Sequence, residues 1–216
     1  MSRAAPWLAV VPVKPAAAAK TRLVGVDEPQ RMALARAFAL DTVAAVAAAL
    51  SVGTVVVVTS GNEWPQPWPG DADVLVVTDD LAGMNAAVRR GMSWVRQHRS
   101  EAAVAVFPAD LPAATPAAVE CFLRRAEAHE RSVLADIEMV GSTALTASPG
   151  AALRPAFGPA SLHHHLTGGA VLVELSGLEP LRRDVDLAAH LRAAVRLGVG
   201  PRTTEVLAEA ASPSRP

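Results

Sequence analysis

Leu-Ala-Val-Val-Pro-Val-Lys-Pro-Ala-Ala-Ala-Ala-Lys-Thr-Arg-Leu, residues 8–23, is the stretch of this sequence that decides the fold. A valine-rich run ends at Pro-Lys-Pro, which predicts a buried strand followed by a turn. Three cations, Lys14, Lys20 and Arg22, then follow within nine residues. In an open α/β sheet, ligands bind at the carboxyl ends of the strands. We therefore expect these cations to form a loop that binds a nucleoside triphosphate.

The composition narrows the class of protein. The chain has 216 residues, enough for one substantial core, and 51% of them are apolar although only 4% are aromatic. Val, Leu and Ala must fill this core, as they do where alanine-rich helices cover parallel strands. A net charge of −1 argues against a dedicated binder of nucleic acid or of an anionic membrane. We expect a single domain over residues 1–212 and a frayed end at 213–216.

The N-terminal apolar run imitates a secretory signal, but Pro12 and Lys14 interrupt it. The other long apolar stretch, residues 43–58, is shorter than a membrane span and contains Ser51 and Gly53. The sequence therefore predicts a cytoplasmic protein that binds no membrane.

Strand and helix patterns alternate through the first half of the chain, which favours a mainly parallel sheet. Residues 144–147 and 151–153 are short apolar runs separated by Ser-Pro-Gly, and they predict a small β-hairpin inserted over the sheet. The fold class is thus α/β with a mostly parallel, mixed sheet. The predicted strands are 7–13, 54–59, 74–77, 103–107, 132–136, 171–175 and 181–185, and the predicted helices are 28–50, 85–98, 116–129 and 187–197.

Three carboxylates stand where strands are predicted to end. Asp110 lies three residues beyond Phe107, and Asp184 and Asp186 flank Val185. Alternate residues of an extended segment share a face, so these carboxylates would repel each other unless a cation lay between them. One reading is a helix cap with surface charge. We favour a Mg²⁺ site formed by all three aspartates, because phosphate chemistry needs a cation with oxygen ligands.

Other polar residues have two interpretations each. The cationic loop could be a solvated rim, but it holds no acidic residue before Asp27. Asn85 could be a helix N-cap or could bind a ribose or base through its amide. The consecutive histidines 163–165 match no zinc spacing, so we expect a partly solvated helix there and no metal. Hydroxyls and free amides on the turns at 141–143 and 157–161 suit a phosphate or a carboxylate.

Five motifs together resemble one known family. They are the stretch at 8–23, Gly-Met-Asn-Ala-Ala, Pro-Ala-Asp-Leu-Pro, Phe-Gly-Pro-Ala-Ser and Asp-Val-Asp. In this order they resemble the phosphoenolpyruvate or 2-phospho-L-lactate guanylyltransferases of coenzyme F-420 biosynthesis. The resemblance implies a three-layer, Rossmann-like (GT-A-like) nucleotidyltransferase. It implies transfer of GMP from GTP to a phosphorylated three-carbon acid, with release of diphosphate.

The resemblance also implies site residues. The family's metal aspartates fall on Asp110, Asp184 and Asp186, and its acceptor-binding positions fall on Gly158 and Ser161. A third acceptor-binding hydroxyl falls on Ser142 or on Thr143, because this turn departs from the family pattern. The implied catalytic residues are Lys20 and Asp110, and the implied nucleotide-binding residues are Lys14, Lys20, Arg22 and Asn85.

Several alternatives remain at this point. The Ala/Arg-rich sequence favours phosphoenolpyruvate over 2-phospho-L-lactate, although both acceptors would make the same phosphate and carboxylate contacts. A molybdenum-cofactor or sugar nucleotidyltransferase shares the fold, but its glycine-rich first loop is missing here. A catalytically silent nucleotide-binding domain is the alternative from another class. Handover of the product to a downstream transferase fits such chemistry, although no motif points to it, and the sequence indicates no oligomeric state.

Overall fold

The computed structural model describes residues 7–23, 25–60, 72–78 and 83–211. It contains a seven-stranded sheet in the order β3-β2-β1-β4-β6-β5-β7, in which β6 alone runs antiparallel to its neighbours. The prolines and glycines of residues 61–70 predict a loop, and this loop and the predicted frayed end at 213–216 lie outside these residues. The strands are β1 (Trp7–Pro12), β2 (Val52–Thr59), β3 (Asp73–Thr78), β4 (Val104–Val106), β5 (Arg131–Ala135), β6 (Ser142–Ala147) and β7 (Val171–Leu172). The helices are α1 (Glu28–Ala47), α2 (Met84–His98), α3 (Pro116–Ala126), α4 (Ser161–Thr167), α5 (Glu179–Arg182), α6 (Ala188–Leu197) and α7 (Pro201–Ala211).

Helices cover both faces of β1, which explains its uninterrupted apolar sequence. All six of its residues are buried, and it pairs in parallel with β2 and β4. Ala9 and Val11 pack in one core with α1 and α3, whereas Val10 packs in a second core with α2. A strand buried on both faces has no need of polar alternation. The predicted three-layer α/β fold with a mostly parallel, mixed sheet is confirmed.

Local sequence signals set the starts of two helices. The Asp27 carboxylate accepts a hydrogen bond of 2.8 Å from the Gln30 N–H at the start of α1. The Thr115 hydroxyl accepts one of 3.1 Å from the Ala118 N–H, which makes Thr115 the N-cap of α3. Helix α2 packs unusually close to the sheet through Gly91, where an added Cβ would lie 2.9 Å from a methyl of Val58.

Among the described helices, none has both the length and the apolar character to cross a bilayer.

The predicted hairpin of 144–147 with 151–153 is wrong. Residues 144–147 belong to β6, which lies inside the sheet between β4 and β5, and no strand follows it before α4. Ser-Pro-Gly ends β6 and does not reverse the chain into a partner strand. The actual reversal lies between β5 and β6, where the Asp136 carboxylate accepts hydrogen bonds from the Val140 and Gly141 N–H groups. A side chain thus closes this turn, without a Pro-Gly signal in the sequence.

The predicted strand at 181–185 is also wrong. Helix α5 occupies its first half, and an irregular segment carries Asp184 and Asp186 beyond it. One backbone hydrogen bond of 3.0 Å, from the Val185 N–H to the Asp110 carbonyl, holds this segment beside the chain that leaves β4. The two acidic segments therefore meet as expected, although they do so outside the sheet.

Helix α7 lies beyond the last predicted helix, 187–197, and is not among the helices predicted from the sequence. Pro201 is its first residue, a position where the missing N–H costs nothing. The cap comes from a distant helix: the Asp41 carboxylate on α1 accepts hydrogen bonds of 3.0 Å from Arg202 N and 2.8 Å from Thr203 N. Gly200 is required beside it, since a Cβ there would overlap the Asp41 carboxylate.

Candidate active site

The loop after β1 delivers Lys20 to the carboxyl edge of the sheet. Lys20 adopts a left-handed backbone conformation with φ of 56°, which is uncommon for a residue with a side chain. Arg31 of α1 holds the loop by donating hydrogen bonds to the Ala16 and Ala19 carbonyls. The backbone conformation of Lys20 and the hydrogen bonds from Arg31 together direct the Lys20 ammonium across the end of the sheet toward β4.

Lys20 joins two of the predicted aspartates. Its Nζ lies 2.6 Å from Asp110 Oδ2 and 3.0 Å from Asp186 Oδ1, and its side chain is only 9% exposed. Asp110 follows β4 and Asp186 follows α5, so three separate segments of the chain converge on one ammonium. The structure therefore brings Lys20, Asp110 and Asp186 together at the edge where the sequence predicted a site.

The three carboxylates differ in their electrostatics. Burial alone would raise the pKa of Asp186, but the Lys20 ammonium outweighs it and holds that pKa below its usual value. Burial, followed by the charges of Asp110 and Asp186, raises the pKa of Asp184 to about 7. Burial would lower the pKa of Lys20, yet the two carboxylates that it contacts raise it. The cluster thus holds more negative charge than one ammonium balances.

The oxygen donors of this cluster suit a hard divalent cation. Asp110 Oδ1 is buried and has no hydrogen-bond partner among the described residues, so one carboxylate oxygen is unused. Lys20 is itself a cation bound between two of the carboxylates. In the present arrangement, however, no three acidic, His or Cys side chains of the described residues converge closely enough to hold a metal. The donor chemistry fits, and the ammonium occupies the position between Asp110 and Asp186.

The other two cations of the loop face solvent. Arg22 is 76% exposed and lies 3.8 Å from Asp186 Oδ2, while Lys14 is exposed at the start of the loop. Exposed cations beside the cluster are available to an incoming anion. Their nucleotide-binding role stays a prediction.

Asn85 is not an N-cap, because Gly83 occupies that position of α2. Its side-chain amide instead exchanges two hydrogen bonds of 2.8 Å with the backbone N–H and carbonyl of Phe157. This pairing fixes the backbone next to Gly158, which has a φ of 134° that favours glycine. Asn85 therefore supports the turn predicted to bind the acceptor, and its contact with a nucleotide stays a prediction.

Ser142 is linked to α4 through a buried histidine. The Nε2 atom of His165 accepts a hydrogen bond of 3.0 Å from the Ala156 N–H. The ring proton therefore lies on Nδ1, and the Nδ1–H group donates a hydrogen bond of 3.0 Å to Ser142 Oγ. The Ser142 hydroxyl keeps its own proton for another acceptor. Thr143 is buried, and its hydroxyl has no hydrogen-bond partner within the described ranges. Ser161 is buried at the first position of α4.

We expect the buried His165 to make the protein less stable at mildly acidic pH. Burial, and secondly the charge of His164, lowers the pKa of His165 to about 4, below its unfolded value. The unfolded chain therefore takes up a proton at this residue as the pH falls below about 6.5 while the folded chain does not, and His165 contributes a loss of about 1–2 kcal/mol of stability between pH 7.5 and 5. Asp184, whose pKa is raised to about 7, contributes in the opposite direction. Urea unfolding of the wild type and of His165→Gln at both pH values isolates the contribution of His165.

The control for this effect is the exposed neighbour His164. Relative to the wild type, His165→Gln should become about 1–2 kcal/mol more stable on going from pH 7.5 to 5, whereas His164→Gln should follow the wild type at both pH values. An unchanged pH dependence in His165→Gln would contradict the prediction.

Sequence reasoning missed several positioning residues. Buried Arg182 donates hydrogen bonds of 2.9 Å to the Ala135 carbonyl and 2.7 Å to the Asp136 carbonyl. Buried Arg183 forms an ion pair of 2.7 Å with Glu138. Both arginines immediately precede Asp184 in the sequence. Their position next to a predicted acidic site could have indicated that they support it. Arg31 gives no such signal, because it lies far from the predicted acidic residues in the sequence and binds loop carbonyls 12 and 15 residues before it.

Solved structures share this fold at low sequence identity. A nucleotidyl transferase from Methanothermobacter thermautotroptrophicus is 18% identical, with a TM-score of 0.53 and coverage of 89% of this chain and 97% of that one. Rv0371C of Mycobacterium tuberculosis in complex with manganese is 15% identical, with a TM-score of 0.50 and coverage of 88% and 98%. At these identities the likeness shows the fold alone.

Sequence relatives are much closer. The chain is 42% identical to the phosphoenolpyruvate guanylyltransferase of Streptomyces scabiei, over 97% of this chain and 99% of that protein. It is 43% identical to the phosphoenolpyruvate guanylyltransferase of Streptosporangium roseum, over 94% and 90%. Residues 25–193 match the model of the MobA-like NTP transferase domain. The chain therefore belongs to the MobA-like NTP transferase family and, within it, to the phosphoenolpyruvate guanylyltransferases.

Proposed function

We propose that this protein transfers GMP from GTP to phosphoenolpyruvate in coenzyme F-420 biosynthesis, giving enolpyruvyl-diphosphoguanosine and diphosphate. The names of relatives at 42–43% identity support the reaction. The observation that carries it is the convergence of Lys20 with Asp110 and Asp186 at the carboxyl edge of the sheet. 2-Phospho-L-lactate is the alternative acceptor. We place the reaction in the cytoplasm, with handover of the product to a downstream transferase.

The reaction is a phosphoryl-type displacement. A phosphate oxygen of phosphoenolpyruvate forms a bond to the α-phosphorus of GTP, and the bond from that phosphorus to the oxygen bridging to the β-phosphate breaks. The electron pair of the broken bond leaves on diphosphate. The attacking oxygen is already anionic, so positioning and charge neutralisation matter more than a protein base.

The cationic loop would bind the leaving group. Arg22 is exposed beside the cluster, Lys14 is exposed at the start of the loop, and Lys20 is held at the centre of the cluster. Cations at this position stabilise the negative charge that grows on diphosphate as the bond breaks. Arg31 holds the loop that carries these cations through hydrogen bonds to its backbone carbonyls.

The aspartates would hold Mg²⁺. Asp110, Asp184 and Asp186 supply carboxylate oxygens, and the partnerless Asp110 Oδ1 supports this assignment. Bound Mg²⁺ would neutralise the α-phosphate and the acceptor phosphate, which otherwise repel each other. The manganese complex of Rv0371C, which shares the fold, is compatible with a divalent metal.

The acceptor would bind on the turns beside α4. The Ser142 hydroxyl keeps a proton that it can donate to a carboxylate or phosphate oxygen, because His165 already donates to its oxygen. Exposed Gly158 permits close approach of a ligand to the backbone, and Ser161 starts α4 nearby. Ser142 and Thr143 are both buried, and we assign the third acceptor contact to Ser142 because His165 orients its hydroxyl, whereas the Thr143 hydroxyl has no hydrogen-bond partner among the described residues.

A matrix of substrates tests the proposed function. The protein is incubated with Mg²⁺, one of four nucleoside triphosphates and one of several phosphorylated acceptors, and released diphosphate is measured. We expect the fastest release with GTP and phosphoenolpyruvate. Asp110→Asn, purified in the same way, gives the background. Absence of diphosphate with every pair would refute a transferase, and turnover only with a sugar phosphate would move the protein to another reaction of this fold.

A further inference from the structure

The Lys20 ammonium lies where a metal ion would bridge two carboxylates. It contacts one oxygen of Asp110 and one of Asp186, and both contacts are within 3.0 Å. A divalent metal bridging the same two oxygens would have to approach each to about 2.1 Å. An ammonium and a metal cannot occupy this space together, since both would press on the same oxygens and repel each other.

We propose that Lys20 is the resident cation of the Asp110–Asp186 pair, and that a divalent metal enters only when the ammonium leaves. The inference rests on the metal site of the proposed function and adds an order of events to it. The loop makes the exchange feasible, because Lys20 lies at a turn and its neighbour Arg22 is largely exposed. With the ammonium in place, the carboxylates are partly neutralised and attract a free metal weakly.

The triphosphate provides the ammonium with a second partner. When phosphate oxygens reach the loop, Lys20 can donate its hydrogen bonds to them, and Asp110 and Asp186 lose their cation. Metal and nucleotide therefore favour each other's binding, and the same coupling free energy applies in both directions. The chain is expected to take up a metal–GTP complex readily and free metal poorly.

The wild-type protein offers an internal comparison, since Lys14 and Lys20 are its only lysines. Acylation by an amine-reactive reagent, followed by mass spectrometry, reports both in one sample. In the metal-free protein we expect exposed Lys14 to react and enclosed Lys20 to be protected. Saturating Mn²⁺ should raise the labelling of Lys20 several-fold and leave that of Lys14 unchanged. Equal protection of Lys20 with and without Mn²⁺ would overturn the exchange.

Direct binding of Mn²⁺ gives the second test, with no nucleotide present. Electron paramagnetic resonance measures free Mn²⁺ during a titration, and circular dichroism checks that each variant is folded. We expect Lys20→Met to bind Mn²⁺ about 10-fold more tightly than the wild type, because the two carboxylates no longer have a bound cation. Lys14→Met removes the same charge farther along the loop and should change the affinity less than about 2-fold.

Arg22→Met shows whether Mn²⁺ binding tightens because the space between the carboxylates is vacated or only because a nearby positive charge is lost. Arg22 lies 3.8 Å from Asp186 but does not stand between the carboxylates, so its loss should tighten Mn²⁺ binding less than loss of Lys20. Equal gains in Lys20→Met and Arg22→Met, or no gain in Lys20→Met, would overturn the proposal. Neither binding nor labelling depends on turnover. A protein that shows the exchange but releases no diphosphate would refute the proposed function alone.

Discussion

Asp184→Asn is expected to lower the rate of diphosphate release at least about 100-fold while making the metal-free protein more stable. Loss of a residue that only supports a metal ligand costs about 10–100-fold, so loss of a ligand should reach at least the upper end of that range. Lys20 contacts Asp110 and Asp186, so Asp184 receives the least electrostatic stabilisation from it. The charges of Asp110 and Asp186 also repel an ionised Asp184. A neutral amide of the same shape removes that repulsion.

The sign of the stability change depends on pH. The pKa of Asp184 is raised to about 7 in the folded protein, so at pH 8 the folded state carries an unfavourable ionised carboxylate. Allowing for partial solvent screening, Asn should add about 1–2 kcal/mol at pH 8. The gain should shrink as the pH falls below about 7 and should vanish only below about pH 4, where the wild-type carboxyl holds its proton in the unfolded chain as well.

Urea unfolding in EDTA and diphosphate release measure the two effects. Asp73→Asn, at an exposed position of β3, serves as the matched control, and its activity and stability should stay near those of the wild type. Retained turnover in Asp184→Asn would remove Asp184 from the metal site.

How far the sequence predicts the fold depends on whether the deciding contact is local. The strands β1, β2 and β4 are recognisable because burial on both faces demands continuous apolar runs. The strand β3 is recognisable by its Val-Leu-Val-Val run, although most of its residues are exposed. The β5–β6 turn was missed because Asp136 closes it through its side chain. Helix α7 was missed because its cap, Asp41, lies 161 residues before Arg202.

The residues of the candidate site also differ in whether a local pattern or a distant contact sets their position. Lys20 and Asp110 were predictable because each follows a recognisable strand, and such ends share an edge of a parallel sheet. Asp186 lies near Asp110 although the strand predicted just before it, 181–185, is wrong, because a hydrogen bond from the Val185 N–H to the Asp110 carbonyl holds this segment in place. The role of Asn85 as a partner of Phe157 depends on two segments 72 residues apart, which no local pattern encodes. Side chains that bind backbone carbonyls far along the chain escape pattern analysis.

Arg182 is the clearest of these, because it joins the acidic segment to the sheet in both directions. Its guanidinium donates to the Ala135 and Asp136 carbonyls, and its own carbonyl accepts a hydrogen bond of 3.2 Å from Ile137 N. Asp184 and Asp186 follow within four residues. The orientation of these carboxylates therefore depends on a buried fork of hydrogen bonds that only arginine supplies.

We expect Arg182→Met to lower the free energy of unfolding by about 2–4 kcal/mol, because it leaves two backbone carbonyls without their charged donor. Arg182→Lys keeps the charge but lacks the planar fork, so it should recover only part of that loss and should still reduce turnover.

Arg125→Met is the matched control: Arg125 also donates to two carbonyls, those of Glu174 and Ser176, but it does so near the surface. Urea unfolding should show a loss below about 1 kcal/mol for this control. Equal losses in the two Met variants would mean that Arg182 is an ordinary surface contact, and that the acidic segment is held by other bonds.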